Sequence, residues 1–225
     1  MNCLCFDTSG EKGCVAVIKN GELAGKIELS KIYGHNETLL PSAKILLDRL
    51  SLKPDEIDVV GFVRGPGSFT GLRIGIATAY GIKAANPEIE LKGYTSLYMQ
   101  ARKHILNGDN VLVLLDARKK QVYAALFTDG KPEIPYGNVY PDEIARYVSG
   151  FNIDNLVITG NGYLKYKEIF DVEITIPFEF KEGEKCLAKP LAEEILNPLN
   201  IEKPSIEPMY IRKSDAEVNR DKKEK

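Results

Sequence analysis

The stretch Arg64-Gly65-Pro66-Gly67-Ser68-Phe69-Thr70-Gly71-Leu72-Arg73-Ile74-Gly75-Ile76-Ala77-Thr78-Ala79-Tyr80-Gly81 directly follows an apolar run at residues 59–63. Its small residues recur at helical spacing, at Gly71, Gly75 and Ala79. The pattern predicts a strand, a tight loop and then a helix whose first turn is capped by Ser68 or Thr70.

The predicted helix after this loop is unusually apolar. Between residues 69 and 85 its only charged residues are Arg73 and Lys83. A helix with apolar or small groups nearly all round must be covered on more than one side. Its own sheet can cover one side, so the other side needs a second helix or a second chain.

The glycine-rich loop fits neither of two common phosphate motifs. A P-loop needs a second glycine five residues after Gly65, where Thr70 stands, and no lysine follows. The dinucleotide fingerprint also needs a glycine at position 70. Two interpretations stay open: a site for an anion or a partner at the helix start, or a helix entry that binds no ligand.

The composition is that of a globular protein without a strongly basic character. The 225 residues are 44% hydrophobic, enough for one large domain or two small ones, and the net charge is −2. Because RNA binding needs a basic surface, a partner would make most of the contacts with any bound RNA. No apolar run reaches the roughly 18 residues that span a membrane, and the start does not resemble a signal peptide. We therefore predict a cytoplasmic protein with no membrane partner.

Cysteine and histidine are too sparse to predict a metal site. The cysteines form no CxxC pair, and in a reducing cytosol we expect buried thiols rather than disulfides at Cys3, Cys5, Cys14 and Cys186. A metal-binding helix would pair His35 with a histidine four residues away, but Lys31 and Leu39 stand there. We predict a structural or capping role for His35.

The order of predicted elements indicates two related halves. The first half, 1–106, has strands at 1–7, 14–18, 22–29, 57–63 and 89–94, and helices at 36–51, 70–85 and 96–106. Turn residues at 107–110 mark the boundary with a smaller half, 107–225. That half has strands at 111–115, 121–127 and 155–159, and helices at 141–149, 164–170 and 184–196, the last broken at Pro190. Packing of 184–225 back on the first half stays open.

Several motifs resemble the TsaB (YeaZ) family in order and spacing, along essentially the whole chain. The specific one is the block from Arg64 to Gly75, whereas Asp7-Thr8-Ser9 alone would be weak. The others are His35 followed by Leu39-Leu40-Pro41, then Asp116-Ala117-Arg118, then Glu207-Pro208-Met209-Tyr210-Ile211-Arg212. The resemblance implies an α/β, actin-like ATPase (ASKHA, ribonuclease H-like) fold of two related βββαβαβα-type halves.

The resemblance also implies a function in tRNA modification. The family takes part in making N6-threonylcarbamoyladenosine (t6A) at position 37 of tRNAs that read codons beginning with A. The implied role is non-catalytic. The paralogue TsaD carries a metal site and transfers the threonylcarbamoyl group from threonylcarbamoyl-AMP, and TsaE is an ATPase that joins them. Relatives also carry a peptidase M22 (glycoprotease) label, which does not suit a chain with two isolated histidines.

By the same resemblance, helices 36–51 and 70–85 pair with the equivalent helices of TsaD, or of a second copy when the chain is alone. Such an obligate interface would bury roughly 2,000 Å² or more. We predict this surface at Leu39, Leu40, Ala43, Leu46, Leu47, Thr70, Gly71, Arg73, Ile74, Gly75, Thr78 and Ala79. The small residues at 71, 75 and 79 would let helix axes approach closely.

A nucleotide cleft between the halves is the second predicted site, formed by Asp7, Thr8, Ser9, Asp116, Arg118, Gly160 and Gly162. The alternative is a vestigial cleft that binds nothing tightly. We expect no tightly bound cofactor, no metal and no catalytic residue, with ATP or ADP at the cleft or at the partner interface. Two other functions stay open: an actin-like ATPase or kinase acting alone through Asp7 and Asp116, and a glycoprotease-type metalloprotease. Contact between the C-terminal tail and tRNA also stays open.

Overall fold

The computed structural model describes residues 1–29, 34–133 and 137–212. Their strands form two mixed β-sheets. The first sheet has the order β3-β2-β1-β4-β5, with β1 (Cys3–Asp7), β2 (Cys14–Lys19), β3 (Glu22–Glu28), β4 (Val59–Gly65) and β5 (Glu90–Thr95). The second has the order β11-β10-β6-β7-β8, with β9 also on β7. Its strands are β6 (Asn110–Arg118), β7 (Gln121–Thr128), β8 (Lys131–Pro132), β9 (Gly137–Val139), β10 (Leu156–Thr159) and β11 (Phe178–Lys181).

The two sheets repeat one topology. In each, an antiparallel hairpin is extended by two parallel strands beside its first strand, so β1 and β6 hold equivalent central places. Both strands end in an aspartate, Asp7 in β1 and Asp116 near the end of β6. The repeat confirms the predicted actin-like fold of two related halves.

Helices cover both faces of each sheet. Outside the first sheet lie α1 (His35–Arg49) and α2 (Phe69–Ala85), and outside the second lie α4 (Pro141–Ser149), α5 (Asn161–Lys165) and α6 (Lys167–Glu173). The layer between the sheets consists of α3 (Ser96–Leu106) and α7 (Ala188–Leu196), buried in one core with strands of both sheets. In the described part of the chain no helix has the length and apolar run that crossing a membrane requires.

Helix α7 follows the second half in sequence but packs on strands β1 to β4 of the first sheet. A disulfide between Cys14 and Cys186 fixes this arrangement, with the two Cα atoms 5.9 Å apart. The expectation that the cysteines are all buried thiols is therefore wrong for this pair, and Cys3 and Cys5 alone are free. The two halves share a central core rather than meeting at a thin boundary.

The structure also differs from the sequence predictions at three places between residues 161 and 196. Strand β11 was not predicted, and the helix expected at 184–196 begins only at Ala188. Pro190 therefore lies in the first turn, where helical N–H groups have no intrahelical acceptor, so it causes no break. The helix expected at 164–170 is a pair of short helices, α5 and α6.

The segment after α7, which we call the C-terminal strap (198–212), runs back over the first half. The N–H of Met209 donates to the carbonyl of Arg64 at 2.8 Å. The ring of Tyr210 stacks on that of Phe69, the first residue of α2, with centroids 4.4 Å apart. The strap thus closes over the glycine-rich loop and the start of α2.

Candidate functional site

The glycine-rich loop packs directly on the end of strand β1. The N–H of Ser68 donates to the carbonyl of Ser9 at 2.7 Å, and Thr8 Oγ1 donates to the carbonyl of Gly71 at 2.8 Å. A Cβ on Gly71 would lie 1.9 Å from the Thr8 carbonyl oxygen, so only glycine permits this approach. Ser68 caps α2 as one of the two predicted candidates, accepting from Gly71 N at 3.2 Å.

Asp7 is a buried carboxylate whose two oxygens are held by the chain itself. Oδ1 accepts from the N–H and the Oγ of Ser9 at 2.8 and 2.6 Å, and Oδ2 accepts from Leu187 N at 3.1 Å. Leu187 is the N-cap of α7, so Asp7 joins strand β1 to the start of that helix. Burial raises the pKa of Asp7, although the bonds from Ser9 and Leu187 and the nearby His35 oppose the rise.

At the equivalent end of β6, Asp116 makes a second cluster. Its Oδ1 accepts from Arg118 N at 2.9 Å and its Oδ2 from Lys165 Nζ at 2.7 Å, while its own N–H donates to Asn161 at 3.0 Å. Gly160 has φ +101°, and a Cβ there would lie 2.2 Å from a backbone oxygen of β6. Asp116, Arg118, Gly160 and the adjoining Gly162 therefore lie together.

A segment of the chain itself runs between these two clusters. Gly183 packs against Gly160, since a Cβ on Gly183 would lie 3.1 Å from Gly160 N. Gln100 of α3 holds the next residue, Glu184, by two hydrogen bonds of 2.7 and 2.8 Å to its backbone. Three residues later Leu187 reaches Asp7. The predicted nucleotide residues thus form two groups, and the polar side-chain atoms of the first group are used in contacts within the chain.

The outward surface of α1 and α2 differs from the predicted contact list. The residues that face the chain's own core are Leu39, Ala43, Leu46, Leu47, Gly71, Gly75 and Ala79, whereas Ile74 and Thr78 are half-buried. The exposed residues of α1 include Leu40 and Ile45, 54% and 48% exposed. Those of α2 form a stripe at helical spacing that comprises Thr70, Arg73, Ala77, Tyr80, Gly81 and Ala84. We call Leu40, Ile45 and this stripe the α1–α2 surface.

Small residues on α2 therefore serve two purposes. Gly75 faces inward, where a Cβ would lie 2.5 Å from Thr8 Oγ1, so it permits packing within the chain rather than against a partner. Gly81 faces outward, with no atom within 4 Å of a Cβ placed there. The structure buries Gly71, Gly75 and Ala79, which were predicted for the partner surface, and exposes Ala77 and Gly81, which were not.

The two histidines lie apart. His35 begins α1, and its Nε2 is 3.2 Å from the Gly10 carbonyl oxygen. His104 lies on α3, with Nδ1 3.3 Å from Asp109 Oδ2, and burial lowers its pKa. Within the described ranges, no three His, Cys, Asp or Glu side chains come close enough together to hold a metal ion.

The buried carboxylate at Asp7 gives a testable pH dependence. Because its pKa is raised, the folded protein holds this proton more tightly than the unfolded chain does. Its contribution to stability is greatest below the unfolded value of about 3.9 and falls as pH rises through the folded pKa. We expect the unfolding free energy of wild type minus that of Asp7→Asn to fall as pH rises from about 4 to about 7, measured by urea titration at each pH. A difference that grows with pH would contradict this assignment.

Comparison with known proteins finds relatives along most of the chain. A family model described as "TsaD: tRNA N6-adenosine threonylcarbamoyltransferase" matches residues 31–180. The "tRNA threonylcarbamoyladenosine biosynthesis protein TsaB" of Haemophilus influenzae is 27% identical over 220 residues, which cover 93% of this chain and 92% of that protein. This chain belongs to the TsaB (YeaZ) family.

Further similarities agree with membership of the TsaB family. The protein of the same name from Escherichia coli is 33% identical over 141 residues, 61% of this chain and 59% of that protein. The solved structure of YeaZ from Pseudomonas aeruginosa has a TM-score of 0.69 at 22% identity, covering 93% of this chain and 99% of that one. At this identity the likeness establishes the fold, in agreement with the repeated sheet topology.

Proposed function

We propose that this chain is the non-catalytic partner subunit in the synthesis of t6A at position 37 of tRNAs that read codons beginning with A. Its curated relatives are named as tRNA threonylcarbamoyladenosine biosynthesis proteins, which supports a role in that pathway. More specifically, the chain binds and stabilises TsaD, the catalytic paralogue, and the pair recruits TsaE. Alone, the chain pairs with a second copy through the same surface.

The observation that carries the proposal is the α1–α2 surface. Leu40 and Ile45 stand about half exposed on α1, and on α2 the outward stripe has Arg73 as its one charged member. The apolar members of this surface are stabilised by burial against another apolar surface. Ala77 and Gly81 leave room for a helix of the partner to lie close against α2. The surface therefore suits a second pair of helices.

The contacts of the β1 cluster favour a binding role over a catalytic one. The polar side-chain atoms of this cluster hydrogen-bond to the chain's own backbone or to each other, at Asp7, Thr8 and Ser9. Segment 183–187 runs between this cluster and the one at Asp116. We therefore place ATP or ADP at the partner interface rather than between the halves. Tight ATP binding by the isolated chain, lost in Asp116→Ala, would contradict that placement.

The test of the proposal is Leu40→Glu, with Leu164→Glu as its matched control. The two leucines are 54% and 56% exposed, so neither change should unfold the chain, but only Leu40 lies on the α1–α2 surface. Burying a charge at an interface centre weakens binding by about a hundredfold. We expect Leu40→Glu to lose co-purification with TsaD and t6A in a complementation assay, and Leu164→Glu to keep both. If the two variants co-purified with TsaD equally well and restored t6A equally, the proposal of an interface at the α1–α2 surface would be wrong.

A second variant separates loss of binding from loss of folding. Gly81→Glu adds a side chain where nothing lies within 4 Å, and glutamate favours a helix over glycine by roughly 0.5 to 1 kcal/mol. We expect the variant to melt at the same or a higher temperature and yet to bind TsaD at least about tenfold more weakly. Isothermal titration of the partner into each chain measures the second quantity. Unchanged affinity in this variant would place the partner elsewhere.

A further inference from the structure

Among residues 1–29, 34–133 and 137–212 there are three hairpins with two-residue turns, and one of them uses unfavourable residues. The turn between β2 and β3 is Asn20-Gly21, with φ of +54° and +82°, and the turn between β7 and β8 is Asp129-Gly130, with +48° and +71°. Asn-Gly and Asp-Gly are the preferred pairs for such turns. The turn between β6 and β7 also has positive φ at both turn residues, +48° and +61°, but these residues are Lys119-Lys120.

The unfavourable conformation extends to a third basic residue. Arg118, just before the turn, has φ of +61°. A residue with a Cβ in this left-handed region costs about 1 to 2 kcal/mol relative to the ordinary helical one. The chain places Asn-Gly and Asp-Gly at its other two turns, so three consecutive long cationic residues here point to a use for their side chains.

These side chains make a basic surface on a chain of net charge −2. Arg118, Lys119 and Lys120 are all exposed, and Arg212 of the strap donates from Nη1 to the Ala117 carbonyl at 2.8 Å, which brings a fourth cation to the hairpin. Asp116, at the base of the hairpin, is paired with Lys165 Nζ at 2.7 Å. We call residues 118–120 together with Arg212 the basic hairpin.

The strap places the basic hairpin next to the partner surface. Tyr210 stacks on Phe69 at the start of α2, and Arg212, two residues further on, contacts Ala117 beside the hairpin. The hairpin therefore lies beside the end of α2 from which the proposed partner surface begins. This matters because a chain of negative net charge needs a local basic surface to contact RNA.

We propose that the basic hairpin binds the phosphate backbone of tRNA. The naming of tRNA as the ligand rests on the proposed function, whereas the phosphate chemistry follows from the residues. Free nucleotide offers the same chemistry, but the exposed cations on a hairpin tip suit a row of phosphates along a strand. Arginine and lysine side chains are the usual phosphate contacts in RNA complexes and carry no base specificity.

The test replaces Lys119 and Lys120 by the residues that the turn prefers. The double variant Lys119→Asn with Lys120→Gly should be as stable as wild type or more so, because it removes the backbone penalty. We expect tRNA binding by the full chain, measured by fluorescence anisotropy at low salt, to weaken about tenfold. The slope of log affinity against log salt should become shallower by about 1.4 to 1.8, corresponding to two lost phosphate contacts. Lys53→Asn with Lys103→Asn removes the same charge from exposed positions elsewhere and should change affinity less than about twofold.

The outcomes separate this proposal from the proposed function. Co-purification of the double variant with TsaD reports on the partner surface alone and should be unchanged. If the control pair weakens tRNA binding as much as the hairpin pair, or if wild type and variant bind tRNA equally, the proposal is overturned. Loss of ATP binding with tRNA binding intact would assign the hairpin to free nucleotide instead and also overturn it.

Discussion

Arg102→Met should lower the free energy of unfolding by about 3 to 5 kcal/mol, because it leaves a buried charge without its partner. Arg102 lies between the sheets, on α3, and its Nε donates to Glu194 Oε2 of α7 at 2.8 Å. Both side chains are under 5% exposed. Arg102 Nη2 also donates to the carbonyls of Glu193 and Asn197, at 3.1 and 2.9 Å, and so closes the C-terminal end of α7.

Urea unfolding of a small variant set measures this effect. Combining Arg102→Met with Glu194→Gln removes the orphaned charge but keeps an acceptor for Leu199 N, so about 2 kcal/mol of the loss should return. Arg146→Met is the surface control, since Arg146 is paired with Asp142 and Glu173 but is 61% exposed, and should cost under about 1 kcal/mol. If Arg102→Met lowered the free energy of unfolding no more than Arg146→Met does, the pair between Arg102 and Glu194 would not be what holds α7 in place.

Breaking the disulfide should have an effect of similar size. Cys14 and Cys186 are 172 residues apart in the sequence, and closing so long a loop in the unfolded chain stabilises the folded state by up to about 5 kcal/mol. For a chain of this length that corresponds to a fall in melting temperature of roughly 10 to 20 °C. We expect this fall for Cys14→Ser with Cys186→Ser, and for wild type after reduction.

Thiol labelling under denaturing conditions tests the same bond directly. Without reductant only Cys3 and Cys5 should react with an alkylating reagent, and all four cysteines should react after reduction. The melting temperature of the double serine variant should not change when reductant is added. This control distinguishes loss of the Cys14–Cys186 disulfide from other effects of the reductant. Four reactive thiols in the unreduced protein would mean that the pair is not bonded.

Local sequence patterns predicted much of this fold, because they depend on neighbours in the chain. The strand, loop and helix around Gly65 to Gly81 followed from apolar runs, glycines and a capping serine, and the structure has them within a residue or two. The hairpin at Asn20-Gly21 was likewise predicted from its two residues. Strand β11 was missed, although Phe178 and Phe180 alternate with polar residues, because the run is only four residues long.

Contacts between distant segments could not be predicted from these patterns. The pairing of Cys14 with Cys186 and the bond from Leu187 to Asp7 both depend on where α7 packs, and no local spacing carries that information. The contacts that the small residues of α2 make within the chain could not be predicted for a similar reason. Gly71, Gly75 and Ala79 have the spacing of a helix interface, but Gly71 and Gly75 pack on the chain's own β1 end and Ala79 is buried in the core of the first half.

The position of α7 has a consequence for how the protein is made. As the chain leaves the ribosome, strands β1 to β5 emerge long before α7, which later covers the face of their sheet that includes Cys5, Val59 and Val63. Until then the nascent chain carries an apolar sheet face with only α3 to cover it. The amino-terminal half therefore completes its fold only after α7 has been synthesised, and this interval is when a chaperone would bind it.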